Sequence, residues 1–174
     1  MNTDYTENNW YALYTRSRAE KKVFEQLIKA GIEAYLPLRK TLRQWSDRKK
    51  WVETPMISSY IFVKLSNDNI RDVYDVHGVV AFVNDKGKPA VIPSYQIEAM
   101  QRTIDSKLSF SVEHSRIEKG QNIRVTSGPL IGIEGKISDV QGSKKLIIQI
   151  NHIGYTLIVE LGNASIESIS KEAV

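Results

Sequence analysis

The stretch Ile123-Arg-Val-Thr-Ser-Gly-Pro-Leu-Ile-Gly-Ile-Glu-Gly-Lys-Ile137 decides the fold of the C-terminal part of the chain. Gly128-Pro129 predicts a tight turn, and Gly132 and Gly135 allow backbone conformations that other residues avoid. Two strands can therefore fold sharply around a short loop. Across residues 119–174, short runs rich in Val and Ile are separated by Gly or Asn, which predicts a small β-barrel used for binding.

The N-terminal part has a different pattern, in which helical and strand periodicities alternate. The order β-α-β-β-α-β-α over residues 10–106 predicts one α+β domain. Residues 107–118 have weak periodicity and scattered Ser and charge, so we expect a linker there. Residues 1–9 are polar, and we expect them to be disordered. The sequence thus predicts two domains.

The first helix has its own boundary signals. Apolar residues at spacings of three and four predict a helix from Arg18 to Ala30, and Gly31 predicts its end. Ser17, with Glu20 three residues later, has the pattern of a capping box. After the next strand, the polar segment Arg39–Lys50 predicts an extended basic hairpin.

Positive charge is concentrated in the first third of the chain. Residues 10–50 contain eleven Lys or Arg and four acidic residues, a net +7, whereas the whole chain carries +4 and the remainder therefore −3. Such an asymmetry indicates a polyanionic partner, and nucleic acid is the first candidate.

Several classes of protein are disfavoured by the sequence. It has no apolar run long enough to span a membrane and no apolar signal-peptide core, so we expect a cytoplasmic protein without a membrane partner. It has no cysteine, and its three histidines lack ligand spacing, so we expect no metal and no cofactor. Nucleophile, phosphate-loop and zinc-protease motifs are also missing, so we expect no enzyme.

The glycine-spaced stretch resembles a KOW motif, which also occurs in ribosomal proteins. Upstream, Trp10-Tyr11, Thr54–Val63, Gly78–Val83 and Pro93 before a helix resemble the NGN domain of NusG-type elongation factors. The resemblance implies an antiparallel sheet with flanking helices over 10–106, followed by an SH3-like KOW barrel over 119–174. With Trp-Tyr-x-Leu-Tyr at 10–14, Tyr-Ile-Phe-Val at 60–63 and Ala-Val-Ile-Pro-Ser at 90–94, the sequence resembles the specialised RfaH and UpxY types more closely than housekeeping NusG.

The resemblance further implies a bacterial, monomeric factor that binds the clamp helices of RNA polymerase and promotes processivity or antitermination at specific operons. The positions that match its polymerase-binding apolar patch and helical flank are Tyr14, Met56, Ile57, Tyr60, Ile97 and Met100. Each of these side chains also suits a protein core. Relatives have Phe-Pro-x-Tyr where this chain has Ile57–Tyr60, so the turn lacks its proline.

In the family, the start of the first helix faces the non-template DNA strand and the hairpin faces the upstream duplex. The matching residues are Arg16, Arg18, Lys21, Lys22, Arg39, Lys40, Arg43, Trp45, Arg48, Lys49 and Lys50. Lys and Arg would contact phosphates, and Trp45 would stack on a base or brace the hairpin. The alternative is a solvated basic face.

The barrel loop Gly128, Pro129 and Leu130 matches the exposed tip that contacts the termination factor Rho or a small-subunit ribosomal protein. Leu130 stands where relatives commonly have Phe, so the choice of partner stays open. Val and Ile runs favour the barrel over an α-helical form, although a fold switch is also compatible with the sequence. The alternative function is that of a ribosome- or RNA-binding KOW protein.

Overall fold

A computed structural model of the chain describes residues 7–117, 119–140 and 142–170. Its contacts divide it into two compact units, one extending to Ile92 and the other beginning at Pro93. The predicted disorder of residues 1–9 lies mostly outside the described residues, but Asn9 already begins a strand. The predicted mixed fold of antiparallel sheets with few helices is confirmed.

The first unit alternates strands with one α-helix and one 3-10 helix. In chain order its elements are β1 (Asn9–Thr15), α1 (Glu20–Lys29), β2 (Glu33–Tyr35), β3 (Leu38–Gln44), β4 (Lys49–Pro55), β5 (Tyr60–Leu65), a 3-10 helix (Asn67–Asp75), β6 (Val79–Phe82), β7 (Asn84–Asp85), β8 (Lys88–Pro89) and β9 (Val91–Ile92).

Strand β1 lies at the centre of the main sheet. It pairs antiparallel with β5, β6 and β9, and β2 pairs with the far side of β5. Leu13 and Ile61 from the sheet and Val23 and Leu27 from α1 are fully buried in one apolar cluster. The spacing of three and four residues on α1 therefore marks the face that packs into the core.

The predicted capping box at the start of α1 is wrong. Ala19 occupies the N-cap, with no side-chain hydrogen bond to the first turn. Glu20 is buried, and its carboxylate instead accepts a hydrogen bond from the backbone N–H of Ser59 at 2.8 Å. The carboxylate thus fixes the turn before β5.

Strands β3 and β4 pair only with each other among the described residues and form a two-stranded ribbon, residues 38–55. Trp45 donates its backbone N–H to the carbonyl of Arg48 at 2.8 Å, which closes the turn at the tip. At the base, Met56 donates its N–H to the carbonyl of Pro37 at 2.7 Å. The ribbon confirms the predicted hairpin.

The second unit contains a helix and an antiparallel barrel sheet. Its elements are α2 (Ser94–Asp105), β10 (Phe110–Glu113), β11 (Gln121–Val125), β12 (Glu134–Val140), β13 (Ser143–Ile150), β14 (Tyr155–Glu160) and β15 (Ile166–Ser168). The strands lie in the order β10-β14-β13-β12-β11-β15. The interior contains Ile123, Val125, Leu146, Leu157 and Val159, all buried.

Two predicted boundaries differ from the strands and compact units of the structure. The segment 107–118 is not simply a linker, because β10 lies within it and pairs with β14 from Phe110↔Val159 to Glu113↔Thr156. The first domain is predicted to extend to residue 106, but the division between the compact units falls between Ile92 and Pro93. Helix α2 therefore belongs to the second unit. Helix α2 is hydrogen-bonded to the barrel, which accounts for this division.

Within the described ranges, neither α-helix combines the length and the apolar character that a membrane crossing would require.

Candidate functional site

The ribbon carries an exposed concentration of positive charge. Its cations Arg39, Lys40, Arg43, Arg48, Lys49 and Lys50 are all exposed. Over the described part of the chain, none of them forms an ion pair. These cations outnumber the ribbon's acidic residues, Asp47 and Glu53, so their charge is available to an anionic partner.

The two faces of the ribbon carry different side chains. Cross-strand register partners lie on the same face, whereas successive residues of one strand lie on opposite faces. The first face carries the cations Arg39, Arg43 and Lys50, together with Thr41 and Thr54, whose hydroxyls are 3.3 Å apart. The second face, here called the Trp51 face, consists of Lys40, Leu42, Gln44, Lys49, Trp51 and Glu53, all exposed. Trp51 and Leu42 are not among the site residues predicted from the sequence, although an aromatic residue within a basic strand is a usable signal.

The second predicted group of cations lies around the start of α1. Arg16, Arg18, Lys21 and Lys22 are exposed, and none forms an ion pair over the described ranges. Arg18 has φ 63°, and Arg16 donates its backbone N–H to the carbonyl of Gly78 at 3.0 Å. The backbone of this turn is thus held while its charged side chains face solvent.

Tyr14 and Tyr60 form an aromatic pair at one end of the main sheet. They are register partners on β1 and β5, and their ring centroids lie 5.6 Å apart with the planes at 62°. Tyr14 is 45% exposed, whereas Tyr60 is partly buried. This edge-to-face pair presents a rigid aromatic surface, which suits a protein contact.

The neighbouring predicted residues Met56 and Ile57 are buried. The turn that follows them is held by two hydrogen bonds at Ser59, one from its N–H to Glu20 and one from the N–H of Thr15 to its carbonyl at 2.9 Å. Ser59 has φ 65°. Because both are buried, Met56 and Ile57 offer little area to a partner in this conformation.

The two residues predicted on the helical flank, Ile97 and Met100, are also buried, on α2. In the same helix, Gln96 is fully buried and forms two hydrogen bonds with Asn151 of the barrel. The Gln96 amide donates to the Asn151 side-chain oxygen at 3.0 Å, and the backbone N–H of Asn151 donates to the Gln96 side-chain oxygen at 2.9 Å. Arg102 donates to the carbonyl of Ile131 at 2.6 Å. The exposure required for a contact by Ile97 or Met100 is therefore missing in this arrangement.

The barrel loop corrects one prediction. Gly128 and Pro129 are exposed, as a binding loop requires, but Leu130 is 1% exposed and belongs to the core. The exposed apolar residue is its neighbour Ile131, at 54%. Two turns set the directions of the Leu130 and Ile131 side chains. One is closed by a hydrogen bond from the N–H of Ile131 to the carbonyl of Gly128, the other by a hydrogen bond from the N–H of Ile133 to the carbonyl of Leu130.

Comparison with known protein families shows the family to which the chain belongs. The profile of the family described as "Transcription termination factor nusG" matches residues 8–101, more than half of the chain. The chain belongs to the NusG family. The match includes β1, α1, the ribbon and the Tyr14–Tyr60 pair, whereas the barrel loop at residues 128–131 lies outside it.

Curated NusG proteins are similar over nearly their whole length. The "Transcription termination/antitermination protein NusG" of Halalkalibacterium halodurans is 26% identical, covering 94% of this chain and 99% of that protein. The protein of the same name from Haemophilus influenzae is 21% identical, covering 96% of this chain and 97% of that protein. Both relatives carry the general NusG name and not that of a specialised type.

The fold is also found in a solved NusG structure. The structure titled "Domain interaction in Thermotoga maritima NusG" aligns with a TM-score of 0.55 at 20% identity, over 94% of this chain and 98% of that one. This likeness supports the fold of the chain.

Proposed function

We propose that the chain binds RNA polymerase during transcript elongation and promotes processivity or antitermination. The observation that carries the proposal is the Tyr14–Tyr60 pair, of which Tyr14 is exposed, within the region matched by the NusG family. Buried aromatic anchors dominate the energetics of many interfaces, and a ring already fixed by its neighbour loses little entropy on binding. The chain acts as a non-enzymatic, monomeric factor in the bacterial cytoplasm.

The polymerase surface proposed as the partner is the clamp helices. Tyr14 is the central contact, because it is the more exposed member of the pair. Met56 and Ile57 have a supporting role, because both are buried beneath the surface. Ile97 and Met100 contribute only if α2 moves and exposes them.

The nucleic-acid partners proposed are the non-template strand, at the start of α1, and the upstream DNA, at the ribbon. Exposed cations that form no ion pair with any residue the structure describes support both contacts. Phosphate contacts of this kind give salt-dependent affinity without choice of sequence.

The barrel loop is proposed to recruit Rho or a small-subunit ribosomal protein. The exposed side chain of Ile131, together with Gly128 and Pro129, supplies the contact that was predicted for Leu130. A specialised role at particular operons, as in the RfaH and UpxY types, is supported by the Trp10–Tyr14, Tyr60–Val63 and Ala90–Ser94 motifs.

Pull-down of core RNA polymerase by the full chain tests the proposal. Tyr14→Ala is expected to weaken the binding by about 10-fold or more, because it removes an interface anchor. Tyr74→Ala is the matched control, since Tyr74 is 56% exposed and also makes an edge contact, with the ring of Phe82 at 5.7 Å. Equal retention of polymerase by both variants would contradict the proposal. An Ile57→Asp variant tests folding instead, because Ile57 is 1% exposed.

A further inference from the structure

Trp51 is the most exposed large apolar residue of the described chain, at 65%. Its cross-strand partner Leu42 is 45% exposed, so the pair forms an apolar strip on an otherwise charged ribbon. No aromatic or cation contact of the Trp51 ring occurs among the described residues. A large side chain that contributes so little to packing on its own protein is available for a ligand.

The surroundings of Trp51 indicate the chemistry of that ligand. Lys49 precedes it by two positions on the same face, and Lys40 lies diagonally across the ribbon, two positions from Leu42. Both lysines are exposed and lack an ion pair in the part of the chain that the structure describes. Glu53 is the carboxylate of this face, and it lies across the ribbon from Lys40 on the side of Trp51 away from the tip. An indole between two free ammonium groups fits a base flanked by phosphates.

We propose that the Trp51 face binds an unpaired segment of nucleic acid, with one base stacked on the indole and Lys40 and Lys49 near the adjacent phosphates. This rests on the nucleic-acid contact proposed for the ribbon, and it changes the form of that nucleic acid from the upstream duplex to an unpaired segment. Duplex DNA hides the faces of its bases within the stack, so an indole gains little from it, whereas each unpaired base offers a free face. The other face, with Arg39, Arg43 and Lys50, supplies charge without an exposed ring at the strand positions.

The competing explanation is that Trp51 only braces the ribbon through Leu42. Substitutions separate the two, because bracing requires an apolar side chain and stacking requires an aromatic ring. Trp51→Leu keeps the apolar contact and removes the ring, and Trp51→Phe keeps both in reduced form.

The test measures fluorescence anisotropy of labelled oligonucleotides with the full chain, using oligodeoxythymidine and oligouridine of about 15 nucleotides and a DNA duplex of the same length. Trp51→Ala and Trp51→Leu are expected to weaken binding of an unpaired oligonucleotide by about 10-fold, while Trp51→Phe retains most of it. Duplex affinity should be unchanged in all three. Comparison of the two unpaired oligonucleotides distinguishes DNA from RNA as the source of the segment.

Equal losses on duplex and unpaired probes, or full binding by Trp51→Leu, would overturn the proposal. So would a Trp51→Ala variant that binds every oligonucleotide normally but loses RNA polymerase, which would assign this face to a protein. The result is separate from the Tyr14 test. If polymerase binding is absent but Trp51-dependent binding of unpaired probes is present, the proposed function fails and this inference stands.

Discussion

The carboxylate of Glu20 at the start of α1 accepts a hydrogen bond from the backbone N–H of Ser59, 39 residues further along the chain. Ser59 precedes β5 and has φ 65°, a conformation that is unfavourable for a residue with a Cβ. A buried acceptor therefore holds a turn that the local sequence alone does not favour. Because Tyr60 follows directly, this bond also positions the aromatic pair.

Removing this acceptor is expected to destabilise the first unit. Glu20→Ala leaves the partly buried N–H of Ser59 without its partner, which should lower the free energy of unfolding by about 1–3 kcal/mol. Glu20→Gln keeps an acceptor oxygen and should cost less. Denaturant unfolding measures both, with Glu25→Ala, exposed on the same helix, as the control. An Ala variant as stable as this control would show that water replaces the carboxylate.

A second prediction concerns the salt dependence of nucleic-acid binding. Arg43→Gln and Lys50→Gln each remove one exposed cation of the ribbon. Each should reduce the slope of log affinity against log salt by about 0.7–0.9 if the residue contacts a phosphate. Binding isotherms over a range of salt concentrations measure the slope. Lys88→Gln, an exposed cation of β8, should leave the slope unchanged, and equal effects at all three sites would indicate only a general charge effect.

The effects of substituting Gln96 of α2 and Asn151 of the barrel on the free energy of unfolding are expected to be coupled. Gln96→Ala removes both hydrogen bonds of the fully buried Gln96 side chain, whereas Asn151→Ala removes only the bond that the Asn151 side chain accepts, because its backbone N–H remains. A double-mutant cycle on unfolding free energies should give a coupling of about 0.5–3 kcal/mol. Strictly additive effects would mean that the two residues stabilise the chain independently.

Alanine substitutions at the adjacent residues Leu130 and Ile131 should have different effects. The first should lower stability, and the second should weaken binding of the partner. Leu130→Ala empties a core position and should cost about 2–5 kcal/mol of unfolding free energy. Ile131→Ala should change stability by less than about 0.5 kcal/mol and weaken capture of Rho or of the ribosomal partner. Thermal unfolding and pull-down together measure the two effects. A stable Leu130→Ala variant would contradict its burial.

Alanine substitutions at Gly135 and Gly132 are expected to lower the free energy of unfolding by different amounts. Steric overlap acts at the first position and backbone strain at the second. A Cβ on Gly135 would lie 2.6 Å from the carbonyl oxygen of Ile147, so Gly135→Ala should displace β13 and cost about 3 kcal/mol or more. Gly132 has φ 85° and open space around it, so Gly132→Ala should cost only about 1–2 kcal/mol of backbone strain. Unfolding midpoints should follow that order, and a reversal would contradict the β12–β13 register.

The features predicted correctly from the sequence depend on short-range patterns. The spacing of Val23 and Leu27 marked the buried face of α1, and the basic segment marked the ribbon. Glu20 was assigned to a local cap because its actual partner is remote in sequence. Strand β10 was missed because its short run gains its hydrogen bonds from β14, and Leu130 was misplaced because turns, not strand alternation, set its direction.

The sites were harder to predict than the fold for a related reason. Apolar side chains such as Ile57, Ile97 and Met100 look alike in sequence whether they form a core or an interface, and only burial separates these cases. Trp51 was overlooked because its exposure follows from its place on a ribbon that pairs with no other strand among the described residues.

The separation of the ribbon from the main sheet has a consequence for how such chains diversify. Its exposed cations and its two exposed tryptophans, Trp45 and Trp51, contribute little to the packed core, so most substitutions there should cost little stability. Natural variation can therefore alter the nucleic-acid preference proposed for the ribbon while the scaffold remains folded. Mutational tolerance and the proposed binding surface coincide in the same eighteen-residue segment, 38–55.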